Sequence, residues 1–336
     1  MIRITALTAN RTDPSSRFRF RQFIKPLADL GIDVSEHYLP ITRYRRQPLA
    51  SLALLMRLPG VLASRRTDIT WLRRELIPER ATLERFTGGK RLLDVDDAVW
   101  LMRDSGFSEK IASRCAGVIA GNRWLAEHYR QVNPRVWVVP TSIDTDLWRP
   151  GAPASQDEWV IGWTGTQSNL RFIISLEEPL AEFLSQHQDA RLRIVSDRRP
   201  AFRRIPPERW EFRRWSEAID VSSTQAMDVG LMPLEESDWA RGKCACKMLL
   251  YMAVGRPAVV SPVGVNNEIL AHGAVGLTAK TPAEWYDALK RLYENRDLGA
   301  RMGAVGRRVV EEHYSVKRSV VRLAEIFVVT ANSESR

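Results

Sequence analysis

Short apolar runs rich in β-branched residues alternate with segments of helical period from one end of the chain to the other, and few folds accommodate that alternation. Strands are expected at Ile4–Thr8, Ile32–His37, Ile69–Leu72, Arg91–Val95, Gly117–Ala120 and Val136–Val139. A second series follows at Trp159–Ile161, Leu192–Val195, Asp228–Pro233, Pro257–Ser261 and Val275–Leu277. Helical segments separate them, and three more close the chain near 281–296, 298–313 and 316–331. Runs this short and this apolar, each followed by a helix, are the signature of βα units around buried parallel sheets. Between the two series, residues 140–156 replace periodicity with Pro140, Pro150, Gly151 and small polar residues, which reads as a linker. Two domains are therefore expected, 1–150 and 151–336.

Composition narrows the class. The chain has 336 residues, 44% of them hydrophobic, enough for two cores and too apolar for a disordered chain. No uncharged apolar run reaches the ~18 residues that span a bilayer, and Met1-Ile2-Arg3 leads directly into a strand. The expected location is cytoplasmic. Cys115, Cys244 and Cys246 lack both the even number of a disulfide framework and metal-site spacing. The formal net charge is +10, but residues 1–150 hold 25 Lys+Arg against 16 Asp+Glu, whereas residues 151–336 hold 25 against 24. The basic half should meet an anionic acceptor or an anionic membrane surface. Nucleic acid is not expected, because no recognised binding motif accompanies the charge.

The segment from Gly230 to Gly264 carries the most chemistry. It reads as strand, polar loop, helix, Gly255 at the helix C-cap, buried strand and glycine loop. Lys243 and Lys247 are four apart, so one helix face would carry both, and only eight of the 50 basic residues are Lys. A compact ammonium beside helix-terminal N–H groups suits a phosphate. Gly162-Trp163-Thr164-Gly165-Thr166 forms a turn after a buried strand, where Gly165 and the two hydroxyls can approach a pyrophosphate. In the loop Val263-Gly264-Val265-Asn266-Asn267, Asn266 or Asn267 reads as an N-cap with free amides nearby.

This region resembles the C-terminal domain of family 4 (group 1) glycosyltransferases, whose helix ends K-x-x-E-Y-M-A-x-G-x-P-V-V-x-S before a glycine loop. Lys247, Tyr251-Met252-Ala253, Gly255, Pro257, Val259-Val260 and Ser261 stand in that register. Pro140, Ile143-Asp144, Trp148 and Pro150 mirror the family's P-N-G-V-D-x-x-x-F-x-P crossover, and Asp94-Val95-Asp96-Asp97 looks like the D-x-D-D of one branch. The resemblance implies a GT-B fold, two Rossmann-like domains with parallel sheets facing across a cleft. It implies a nucleotide-sugar-dependent glycosyltransferase acting on a hydroxyl acceptor, retaining and without a bound cofactor or metal. Lys243, Lys247 and Asp97 would be catalytic. Trp163, Thr164, Gly165, Thr166, Val263, Gly264, Val265, Asn266 and Glu268 would line the donor site. Arg17, Arg19, Arg73, Glu75, Asp94 and Asp96 would hold the acceptor.

One departure stands out. The family's E-x7-E glutamates fall here on Gly242 and Leu250, so both carboxylates are missing. Glu235, Glu236 or Asp238 replaces the first, the donor is held differently, or the chain is a non-catalytic nucleotide-sugar-binding or scaffold homologue. Asp94-x-Asp96 also invites a metal, but three neighbouring carboxylates repel one another and are expected at a solvated strand end or against arginines. An apolar segment at 48–62, preceded by Arg43, Arg45 and Arg46 and followed by Arg65 and Arg66, fits either a sheet-covering helix or an interfacial helix at a membrane.

Overall fold

The computed structural model describes residues 1–40, 49–77, 82–102, 106–151 and 158–333, with the side chains of 49–51 left aside. Arg43, Arg45, Arg46 and the last part of the linker, 152–156, lie outside the described residues. The chain forms two units: Met1–Ser142 with Arg241–Cys244 and Val316–Arg336, and Ile143–Ala240 with Ala245–Ser315.

The first unit contains one parallel sheet built from β1 (Ile2–Thr8), β2 (Ile32–Tyr38), β3 (Ile69–Arg73), β4 (Lys90–Val95), β5 (Gly117–Ala120) and β6 (Val136–Val138), in the order β2-β1-β3-β4-β5-β6. The inner strands β1, β3, β4 and β5 are largely buried on both faces, whereas the edge strand β2 alternates buried and exposed residues. Trp71 of β3 lies between Phe20, at 4.1 Å between ring centres, and Phe327, at 5.1 Å. Phe327 comes from the last helix, Val316–Asn332, whose buried Val316, Val320, Leu323, Ile326 and Phe327 fall on one face. That apolar stripe overrides sequence order: the closing helix folds with the first unit, not with the 151–336 domain. Residues 241–244 do the same.

The second unit repeats the plan with β7 (Trp159–Gly165), β8 (Ala190–Ser196), β9 (Trp210–Arg214), β10 (Val229–Met232), β11 (Ala258–Val260) and β12 (Gly276–Thr278). All pairings are parallel, in the order β12-β11-β10-β7-β8-β9. The edge strand β9 was not expected from its charged sequence. Trp210 and Phe212 supply the period-2 apolar positions, and Glu211 sits opposite Arg193 of β8 in an ion pair.

Chain order reverses beside β1 in the first sheet and beside β7 in the second, and ligands of open α/β sheets bind at the carboxyl ends of strands flanking such a reversal. In the second unit the helix Cys246–Ala253 is seated there by Tyr251. Its ring lies against Gly230, where a Cβ would come within 2.1 Å of a ring atom. Its hydroxyl accepts from Thr164 N at 3.1 Å and donates to Leu231 O at 3.2 Å. Gly255, with φ +74°, ends the helix as expected. Gly230→Ala should cost ~1–3 kcal/mol through overpacking, read as a lower urea midpoint at unchanged slope. An unchanged midpoint would mean the ring does not need that space.

Candidate functional site

In the second unit, Lys247 enters from the first turn of the helix Cys246–Ala253. Ala245, just before it, adopts φ +52°, a left-handed conformation that costs a non-glycine residue about 1–2 kcal/mol. This reversal separates Lys247 from Lys243, which lies in the connection before the helix. The two lysines therefore do not share a helix face, contrary to the spacing argument. Lys247 Nζ stands 5.7 Å from the centre of the Trp163 ring. A Cβ on Gly165 would meet that ring at 2.6 Å and Lys247 Cε at 2.9 Å, so only glycine leaves the lysine stem this path along the end of β7.

The remaining donor-side residues divide into framework and surface. Trp163, Thr164, Val263 and Val265 are buried. Thr166 exchanges hydrogen bonds with Ser168 at 2.9 Å and Asn169 at 3.0 Å, holding the turn after β7. The next amide, Gln167 N, donates to Asp197 Oδ1 at 2.6 Å, so a carboxylate already occupies that donor. Sequence reasoning missed Asp197 because it follows a different strand. Gly264 (φ +54°) is itself the N-cap of the helix Val265–Leu270. Neither asparagine caps it by its side chain, a correction to the sequence reading. Asn266 is buried and donates to Ser261 O at 2.8 Å, and Asn267 donates to Pro262 O at 3.0 Å. Ser261 Oγ in turn accepts from Leu234 N at 2.9 Å, fixing the loop that carries the exposed Glu235 and Glu236. Glu268 is exposed in the first turn after Gly264.

In the first unit, the acidic group at the end of β4 is met by cations, as the repulsion argument anticipated. Arg19 and Asp94, however, face each other rather than solvent. Both are almost fully buried and hold each other, Nε to Oδ1 at 2.8 Å and Nη2 to Oδ2 at 3.1 Å, while Arg19 Nη1 donates to Val139 O at 2.6 Å. Burial alone would lower the Arg19 pKa, but the facing Asp94 carboxylate outweighs it and the net direction is up. Arg73 pairs with Asp13 at 2.9 Å, and Asp13 Oδ2 also accepts from Ser16 N and Oγ at 2.7 and 2.9 Å. Arg74, at φ +55°, lies 3.7 Å from both Glu75 and Asp97. Lys243 Nζ donates to Asp97 Oδ1 at 2.9 Å, joining two residues that had been assigned to catalysis separately. Burial pushes the Asp96 carboxyl up, but Arg73, a Ser15 hydrogen bond and Arg74 hold it below the usual carboxylate range. Arg17 sits over Phe18, with its guanidinium 5.0 Å from the ring centre. No group of histidine, cysteine and carboxylate side chains able to hold a metal occurs among the described residues.

Removing one member of the buried pair strands the other's charge, so Arg19→Met should cost ~3–5 kcal/mol. Arg19→Met with Asp94→Leu should recover most of that loss. Denaturant midpoints measure both, and equal midpoints for wild type and the single variant would show that the stranded Asp94 carries no penalty.

The GT-B fold is evident from solved structures similar along the whole chain. Sucrose-phosphate synthase from Thermosynechococcus elongatus has a TM-score of 0.74 at 16% identity, covering 98% of this chain and 100% of that one. A glycosyltransferase from Rickettsia africae gives 0.69 at 13%, covering 99% of each. Anabaena HepE in complex with UDP and glucose gives 0.68 at 14%, covering 98% and 100%. No curated protein sequence matches significantly. Residues 160–295 match the family model of glycosyl transferases group 1, which spans β7 through the helix Pro282–Glu294. Those residues are similar to group 1 glycosyl transferases, within a chain that has the GT-B fold.

Proposed function

We propose that the chain transfers a sugar from a nucleotide-diphosphate donor to a hydroxyl acceptor, with retention and without a bound metal. The observation that carries this reading is Lys247, held beside Gly165 and Trp163 at the carboxyl end of β7 inside the group 1 region. An ammonium fixed there stabilises the negative charge that grows on the leaving diphosphate. The Gly264 loop and Glu268 supply the rest of the donor contacts. Glu235 or Glu236, in the loop tied to Ser261, stands in for the absent E-x7-E carboxylate. Among solved neighbours, HepE is described with UDP and UDP-glucose, which makes UDP the first donor nucleotide to try.

The acceptor is assigned to the first unit. With Arg19 and Asp94 committed to each other, Arg17, Arg73, Glu75 and Asp96 remain for it. Lys243, Arg73 and Arg74 offset the charges of Asp96 and Asp97, the task a divalent ion would otherwise perform.

UDP, GDP and ADP should be distinguished by thermal shift, since a ligand selective for the folded state raises the melting temperature. Lys247→Ala should lower turnover by at least ~100-fold, the scale of one lost charge-stabilising donor. Near-normal turnover would remove Lys247 from the mechanism. Activity should survive EDTA, and loss restored by Mn²⁺ would overturn the metal-free reading.

A second component concerns the membrane. The helix Leu49–Ser64 exposes Leu52, Leu55, Met56, Leu58 and Leu62, and Arg43, Arg45 and Arg46 precede it in sequence. No helix of the described residues is long and apolar enough to cross a bilayer. Exposed apolar side chains beside a basic run suit peripheral contact with anionic lipid. Removing the three arginines should weaken binding to anionic vesicles and leave UDP binding unchanged. Unaltered vesicle binding would defeat the membrane component alone.

A further inference from the structure

The amino-terminal edge of the first sheet carries a cavity of about 260 Å³ lined by Thr82, Glu84, Arg85, Arg91, Lys110, Ile111, Arg114 and Cys115. Four of these side chains are cationic. They come from separate pieces of chain: Arg85 from the turn before β4, Arg91 from the second residue of β4, Lys110 from the helix Phe107–Ala112, and Arg114 from the turn leading to β5. Among the described residues, the one carboxylate of the lining is engaged elsewhere. Glu84 is buried and accepts Leu76 N at 2.7 Å and Thr82 N at 2.5 Å, one on each oxygen. Among the described residues, Arg85, Arg91 and Arg114 form no ion pair with a carboxylate. Arg91 donates to Glu84 O at 3.2 Å and Arg85 lies 4.6 Å over Phe86, which leaves guanidinium donors of both available to the cavity.

Cations converging on one concavity repel one another, and the fold retains them without a neutralising carboxylate ion pair for the three arginines. Guanidinium forks match the tetrahedral oxyanion of a phosphate and bind it with charge-assisted hydrogen bonds. The buried Cys115 thiol, pushed up to about 12 by desolvation, is protonated and forms part of the wall rather than a nucleophile. Because β4 runs from Lys90 at this edge to Val95 at the opposite one, the cavity is separated from the Asp94–Asp97 group by the length of the strand.

We infer that this cavity is a second anion site, which takes a phosphate-bearing ligand, either a soluble phosphate or the phosphomonoester headgroup of a lipid. It serves binding and not sugar transfer, since it shares no residue with the Lys247 or Asp97 groups.

The test uses the full-length protein and inorganic phosphate, followed by calorimetry. In Arg85→Gln/Arg114→Gln the affinity should fall at least ~10-fold, the loss of about one charge-assisted hydrogen bond. Among the described residues neither side chain makes a hydrogen bond to protein, so the variant should remain folded with a melting temperature close to that of the wild type, and Arg85→Lys/Arg114→Lys should restore part of the binding. Arg123→Gln/Arg130→Gln removes the same charge from two exposed positions outside the cavity and should bind like wild type. Equal affinity in all the proteins, or an equal loss in both glutamine pairs, would overturn the site. Phosphatidylcholine vesicles with and without phosphatidate then separate the sources. Selective loss of phosphatidate binding in the cavity variant identifies a lipid headgroup, whereas phosphate loss with unchanged vesicle binding identifies a soluble ligand.

Discussion

Arg19 and Asp94 lie 75 positions apart in sequence, yet their buried contact decides what the first unit can present at its sheet edge. The guanidinium ties the stretch Ser16–Arg21 to β4 by two bonds and to Val139 by a third, so three segments converge on one charge. A buried ion pair is not in itself a source of stability, because desolvating both charges costs what their attraction returns. Its consequence is geometric. Once Asp94 is drawn inward, the strand ends at Val95 and regular alternation stops, leaving Asp96 and Asp97 free of the pleat. Those two carboxylates then meet Arg73, Arg74 and Lys243.

The second unit reaches a comparable arrangement through backbone constraint rather than charge. Tyr251 uses both ends of its side chain, the ring against Gly230 and the hydroxyl between Thr164 N and Leu231 O, and so fixes the helix Cys246–Ala253 against β7 and β10. Ala245 in the left-handed region turns the chain just before that helix. Lys243 and Lys247 are thereby assigned to different units although only four residues separate them. A non-glycine residue held at positive φ persists only where its surroundings over-determine it, and here the buried helix on one side and the Asp97 ion pair on the other do so.

Much of the fold was legible because periodicity is a local property. Eleven of the strands announce themselves as apolar runs, and the glycine and proline punctuation from Gly255 to Gly264 is where the register predicts. β9 escaped because an edge strand pairs on one side only and tolerates Glu211, Arg213 and Arg214. The membership of the helix Val316–Asn332 escaped for another reason. Its apolar face states that it must be covered, but not by which sheet. The site was less legible than the fold. Residue types at the strand ends identified the right neighbourhoods, whereas the partners that decide each role are remote in sequence: Asp94 for Arg19, Asp97 for Lys243 and Asp197 for the amide after Thr166. Spacing within a motif carries no information about such partners.

The excess positive charge of the amino-terminal half acquires a different meaning once its arginines are followed to their partners. Arg19, Arg21, Arg73 and Arg74 all answer carboxylates of their own unit, three of them near the carboxyl ends of β3 and β4. The edge that holds the Asp94–Asp97 group is thus close to internally compensated. Among the described residues, Arg85, Arg91 and Arg114 have no such counterpart, and they gather at the other end of the same strands. Field strength at a surface follows uncompensated charge rather than total charge. An anionic partner approaching the first unit is therefore drawn toward the amino-terminal edge of its sheet, while the charges at the opposite edge are spent on short, directed contacts with one another.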